Sequence, residues 1–131
     1  MTLTLRNATL LPCTPEMPVI EGGHVTVSRP RIPSPGPGPG PDAAEVIDVG
    51  GDIVMPGFVN PHAHLPMTLF RGLGEYFNHR LFRYVLPMER KFVSPEMVRV
   101  GTALAAWETI RAGVTTVADM YYFEANVGWG L

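Results

Sequence analysis

The chain has 131 residues, of which 46% are apolar and 17% charged, with ten Lys and Arg against twelve Asp and Glu and a formal net charge of -2. That length suits one ordinary domain able to hide roughly two-thirds of its unfolded surface, and the composition excludes a disordered tail. The charges are scattered and nearly balanced, which excludes a basic stripe of the kind that neutralises phosphates, so no nucleic-acid partner is expected.

Thr2 to Leu11 alternates polar and apolar residues with Leu3 and Leu5 on one face, which predicts a half-buried strand. His24 to Val27 repeats the pattern briefly. Cys13 is the single cysteine and has no internal disulfide partner, and the opening MTLTLRNATL lacks the basic start and long apolar run of a secretory signal. Both features point to a reducing, cytoplasmic setting. From Pro30 to Pro41 proline and glycine nearly alternate, removing amide donors and adding backbone freedom, so residues 30–41 are expected to form an exposed loop outside any sheet. No apolar run approaches the roughly 18 to 20 residues of a membrane-spanning helix, and no membrane partner is expected.

From Glu45 the chain reads as strand, Gly-Gly turn and strand. Ile53 to Val59 is almost continuously apolar, as in a strand buried on both faces of a parallel sheet. Ser94 to Gly113 predicts the clearest helix, with Ser94 as N-cap, Pro95 at the first helical position, Glu96 near the positive dipole end and Gly113 as terminator. Met97, Val100, Leu104, Trp107 and Ile110 recur at helical spacing and form an apolar stripe expected to pack inward. Val114 to Met120 is again β-branched and apolar, which completes a βαβ unit with a long loop after its first strand. One parallel pair leaves bare edges, so the chain is expected to be part of a larger sheet, ending at VGWGL with no helix over the second strand.

His62 and His64 are two residues apart, and near the end of an extended strand that spacing turns both imidazoles to one side, where two nitrogens can grip one metal. A surface HAH alone is a common accident. Here it follows Pro56 and Gly57 at the carboxyl end of the apolar strand, where parallel α/β barrels place their chemistry.

GGDIVMPGFVNPHAHLPMTLFRG resembles the first barrel strand of the amidohydrolase superfamily, in its cytosine deaminase-like and chlorohydrolase-like branch. LPMERKFVSPEMVRVGTALAAWETIRAGVTTVADMYYFE is similar to the matching stretch of deaminases acting on S-adenosylhomocysteine and 5'-methylthioadenosine. The likeness runs from about Thr2 to Glu124 and is broken only at the Pro-Gly segment. It implies an α/β fold in which residues 1–52 supply strands of a small β-sandwich and residues 53–131 the first βα units of a metal-dependent (β/α)8 barrel, incomplete in this chain. It also implies one divalent metal, zinc foremost and iron as the other option, that activates water to displace ammonia, or chloride in some relatives, from a small heterocycle. His62 and His64 inherit the metal-ligand role. Full-length relatives commonly form homo-oligomers.

The resemblance further gives Glu89 a substrate-binding role, because the matching glutamate contacts ribose hydroxyls; the alternative is a solvated Glu paired with Arg90 or Lys91. The later His, His, Asp and Glu of the family have no counterpart in this chain. No residue here is therefore assigned as catalytic, and the 131 residues alone are expected to be inactive, which leaves a non-catalytic remnant binding a metal or partner as the alternative. Relatives carry Trp-Leu where this chain has Arg80 and Leu81, which puts an aromatic wall of the substrate pocket in doubt. Asp119 ends the second strand and is read as structural. Met55, Met67, Met88 and Met120 are read as apolar fillers, and Arg71 as an anchor for the loop after the His pair. His24 and His79 match no family ligand position.

Overall fold

The computed structural model describes residues 2–128. It divides into two compact units, Met1–Pro56 and Gly57–Leu131.

The first unit is a single sheet. Strands β1 (Thr2–Leu10), β2 (Ile20–Ser28), β3 (Arg31–Pro37) and β4 (Glu45–Asp48) lie in the order β3-β2-β1-β4, and β5 (Ile53–Val54) also pairs with β1. β1 runs antiparallel to β2 and parallel to β4 and β5. The expected apolar face of β1 survives a complication that simple alternation misses. The pairing shifts between Leu5↔Val25 and Ala8↔Gly23, placing one extra residue in β1. Asn7 takes up that bulge with φ 56. Leu3 and Leu5 before the bulge thus share a face with Ala8 and Leu10 after it. Ala8, Leu10 and Val25 form the core of this face, with Ile20, Val27, Val49 and Val54 packed around them. On the opposite face the buried Thr4 and Thr26 hydroxyls pair at 3.1 Å, and Thr4 Oγ1 also donates to the Pro41 carbonyl.

The Pro-Gly segment corrects the loop expectation. β3 is a strand, antiparallel to β2, and it lies at the edge of the sheet. Proline recurs at every second position, Pro33, Pro35 and Pro37, and successive residues of a strand turn their amides to opposite edges. The missing donors therefore fall on one edge, while the interleaved residues keep theirs for β2; the Gly38 amide continues that row by donating to the Gly22 carbonyl at 3.1 Å. An edge strand needs only one row of donors, so alternating proline is compatible with it.

In the second unit β6 (Phe58–Ala63) pairs in parallel with β7 (Val114–Asp119), joined by the expected helical crossover. The segment between them is more helical than the loop read from sequence: a 3₁₀ segment (Leu65–Phe70), a π-helical turn (Leu81–Val85) and helix α1 (Leu86–Phe92) precede helix α2 (Pro95–Arg111). α2 has the expected start, with Ser94 Oγ accepting from the Met97 amide at 3.2 Å, and Gly113 follows its end at φ 82.

Three further expectations are corrected. Ile53 to Val59 is not one strand: Ile53 and Val54 join the first sheet, whereas Phe58 begins β6. Ile53 is 62% exposed in the first sheet, and Val59 is 65% exposed because the sheet that β6 enters has two strands among the described residues and does not cover both faces. The buried face of α2 is the small one, Val98, Gly101, Thr102, Ala105 and Ala106, while Trp107 and Ile110 of the apolar stripe are 60% and 68% exposed. Small side chains let the backbones approach: a Cβ on Gly101 would lie 2.7 Å from the Pro66 carbonyl oxygen of the 3₁₀ segment. Finally, a short helix α3 (Glu124–Gly128) follows β7, where the sequence suggested none; Trp129, Gly130 and Leu131 lie outside the described residues.

Candidate metal centre

The end of β6 and the end of β7 are adjacent in register, with Ala63 opposite Asp119 and the Met120 amide donating to the Ala63 carbonyl at 3.0 Å. This pairing brings residues 60–65 and 119–121 together from opposite ends of the crossover. His62 and His64 both project there, and their Nε2 atoms lie 3.4 Å apart with the rings edge to face at 5.1 Å. His64 Nδ1 lies 2.7 Å from the Met120 carbonyl oxygen. A carbonyl only accepts, so Nδ1 carries the proton and Nε2 presents its lone pair. Asp119 Oδ1 accepts from the Leu65 amide at 2.6 Å, which fixes the chain immediately after the His pair. That is the structural duty expected of Asp119.

The donor pair fits a metal. Two imidazole nitrogens each about 2.05 Å from a tetrahedral ion are separated by about 3.3 Å, close to the 3.4 Å observed. A ring N–H held by a backbone carbonyl is also the usual outer partner of a metal-bound histidine. Among the described residues no group of three or more His, Cys, Asp or Glu is disposed to hold an ion.

His64 lines an open cavity of about 620 Å³, shared with Met67, Leu81, Leu86, Glu89, Asp119 and Tyr121, with Met120, Tyr122 and Glu124 completing the wall. Glu89, carried by α1, is 8% exposed, and its Oε1 accepts from the Tyr121 hydroxyl at 2.8 Å. This places Glu89 in the same cavity as His64 and rules out the solvated surface pairing considered from sequence. Burial, followed by the adjacent Glu89 carboxylate, holds the Tyr121 phenol above the ordinary tyrosine range. Leu81 lines the cavity as well, whereas Arg80 precedes the π-helical turn.

Other sequence candidates sit as follows. Arg71 pairs its guanidinium with both Glu108 carboxylate oxygens and with Thr68 Oγ1, tying the end of the 3₁₀ segment to α2. The anchoring role expected of it is therefore directed at α2. Met67 and Met120 line the cavity, and Met55 and Met120 are exposed, so only some of the methionines act as fillers. His79, at φ 59, accepts through its carbonyl from the Phe82 and Arg83 amides and starts the π-helical turn. His24 Nδ1 pairs with the Gly38 carbonyl at 3.2 Å inside the first unit. Tyr121 and the Met120 carbonyl are the contributors that sequence reasoning missed. The signal available for them was the run Asp119-Met120-Tyr121-Tyr122 directly after a parallel strand, where such folds gather their sites.

Paired imidazoles at the carboxyl end of β6, beside the carboxyl end of the parallel strand β7 reached through a helical crossover, define the start of an α/β barrel with a donor pair of the metal-ligand type. Residues 53–128 match the amidohydrolase family, and the chain belongs to that family. It is 37% identical over 123 residues to a 5'-deoxyadenosine deaminase of Methanosarcina mazei, covering 92% of this chain and 28% of that protein. It is 38% identical over 131 residues to a 5-methylthioadenosine/S-adenosylhomocysteine deaminase of Syntrophobacter fumaroxidans, covering 95% of this chain and 30% of the relative. The crystal structure of a zinc-bound adenosine deaminase from Xanthomonas campestris superposes with a TM-score of 0.85 at 31% identity, covering 98% of this chain and 30% of that one. The chain thus spans about 30% of the length of the proteins it matches. Its mixed α/β fold is a fragment, about 30%, of the family's TIM-barrel fold. Among the described residues no helix is long and apolar enough to cross a membrane.

Proposed function

We propose that this chain carries the first portion of the active site of a metal-dependent deaminase, which uses water to replace the exocyclic amine of an adenosine-type nucleoside with oxygen and release ammonia. His62 and His64 would hold the divalent ion, with zinc preferred and iron as the alternative. Glu89 would bind the substrate's sugar, and the cytoplasm is the proposed setting. The barrel portion begins with β6, and the sheet before it belongs to the sandwich.

The observation that carries this reading is the 3.4 Å approach of the two Nε2 atoms, with His64 Nδ1 engaged by Met120. A divalent ion held there supplies the Lewis acidity that makes water a competent nucleophile at neutral pH. The chain's own residues orient the site: Met120 fixes the His64 tautomer, Asp119 pins the turn after it, and Glu89 offers acceptor oxygens to vicinal hydroxyls. The names of the deaminase relatives support a nucleoside substrate.

A second reading has its own observation. With two donors in place and no third among the described residues, the 131-residue chain by itself would bind an ion weakly and turn over nothing, as a remnant with a metal-binding role would. Titration of the purified chain with Zn²⁺ and Co²⁺ tests the shared premise. One equivalent should bind, and His62→Ala or His64→Ala should each weaken binding by about tenfold or more. Binding that is indifferent to both substitutions would exclude the His pair as the site. Nucleoside binding by the metal-loaded chain then favours the deaminase reading, and its absence the remnant.

A further inference from the structure

We propose that Tyr121 is a positioning residue for Glu89, holding its carboxylate so that Oε2 meets the sugar of a bound nucleoside and tying that oxygen's position to the imidazole pair. The proposal rests on the reading of Glu89 as the sugar-binding group. A glutamate side chain reaches its carboxylate through several rotatable bonds, and in an open cavity it would sample many positions. Glu89 is nonetheless buried, and its Oε1 accepts from the Tyr121 hydroxyl at 2.8 Å. One acceptor site of Oε1 is thereby taken, the carboxylate is restrained at that oxygen, and Oε2 is left for a ligand donor.

Tyr121 is itself held in place. It is 7% exposed, its ring is tilted against His64 at 5.9 Å and against Tyr122 at 5.1 Å, and it follows Met120, whose carbonyl engages His64 Nδ1. Three consecutive residues at the end of β7 therefore each hold a different part of the site: Asp119 the Leu65 amide, Met120 the His64 ring and Tyr121 the Glu89 carboxylate. A ligand that spans the imidazoles and Glu89 meets two anchors set by one short run of backbone. The distance between the reacting end and the sugar end is then fixed by β7 and does not depend on the α1 side chain alone. Phenylalanine at this position would keep the ring against His64 while freeing the carboxylate.

The test uses the zinc-loaded 131-residue chain and two probes that differ only in the sugar hydroxyls, adenosine and 2',3'-dideoxyadenosine, with dissociation constants from ligand-observed NMR and Zn²⁺ affinity measured alongside. A charge-assisted hydrogen bond should give the wild-type chain a preference of about tenfold for adenosine. Tyr121→Phe should reduce that preference to about twofold or less while leaving Zn²⁺ affinity within error, and the lost buried hydrogen bond should lower its thermal midpoint. Glu89→Gln, which can still accept from Tyr121 through its amide oxygen but turns a donor toward the ligand, should also abolish the preference. A full preference retained in Tyr121→Phe overturns the positioning role and leaves the Glu89 reading standing. A wild-type chain that does not discriminate the two probes, or binds neither, overturns the Glu89 reading and this proposal with it.

Discussion

Gly101 of α2 lies so close to the 3₁₀ segment that a Cβ placed on it would come within 2.7 Å of the Pro66 carbonyl oxygen and 2.8 Å of the Pro66 Cα. Both contacts are with backbone, which cannot rotate away. The crossover helix is therefore seated by the absence of a side chain, directly below the turn that follows His62 and His64.

Gly101→Ala sets two effects against each other. Alanine favours an interior helical position by about 1 kcal/mol, while forcing a methyl into a filled backbone contact costs about 1–3 kcal/mol. With two backbone atoms inside 3 Å the clash should win. Urea denaturation of the variant is expected to show a net loss of up to about 2 kcal/mol, and a higher midpoint would show that the helix can shift without cost.

Thr102, next to it, is fully buried, and its Oγ1 has no hydrogen-bond partner. Thr102→Val replaces the hydroxyl with a methyl of nearly the same size and removes an unsatisfied polar group. Stability should rise by about 1 kcal/mol, read as an upward shift of the thermal midpoint; a fall would mean that the hydroxyl finds a partner in solution.

Asp119→Ala removes the acceptor for the Leu65 amide, held at 2.6 Å. Losing a hydrogen bond to a charged group leaves a part-buried N–H unsatisfied, and the expected cost is about 1.5–3 kcal/mol. Hydrogen exchange should localise the loss: the Leu65 amide is expected to exchange much faster, while the amides pairing β1 with β2 keep their wild-type rates.

Asp48 provides a pH handle in the first unit. The Gly50 amide, then the Asn7 side-chain amide, and more weakly Arg6, hold its carboxyl below the ordinary value of 3.8. A carboxylate lowered in the folded state contributes stability that is fully present above its unfolded value and is lost as pH falls through the folded value. The turn at Gly50 and Gly51 should therefore hold to below pH 3.8 and loosen only in stronger acid. Carbon-13 titration of the Asp48 carboxyl, followed together with the Gly50 amide shift, should show both moving below the ordinary carboxylate midpoint. Movement at or above that midpoint would remove the Gly50 contact as a stabilising one.

Much of the site could be read from local pattern. The His-Ala-His spacing, the Ser94-Pro95-Glu96 helix start and the β-branched run after Gly113 are each dictated within a few residues, by strand alternation, capping chemistry and χ1 preference. Those signals sufficed for the βαβ unit and for the orientation of both imidazoles. The Pro-Gly segment misled because proline's missing donor matters only on a particular side of a strand, and the side is set by the neighbouring strand rather than by the proline itself. The bulge at Asn7 is of the same kind, since its left-handed φ has meaning only against the register with β2.

The sequence by itself determined which residue types could meet a metal and a sugar, and that a helix would return the chain to a parallel partner. Tertiary structure alone decided that α2 turns its small face inward and leaves Trp107 and Ile110 exposed, and that Tyr121 meets Glu89 from 32 positions away. The division follows from range. Capping and periodicity act between residues a turn apart, whereas the buried face of a helix and the partner of a buried carboxylate depend on backbones that approach only after the crossover has closed.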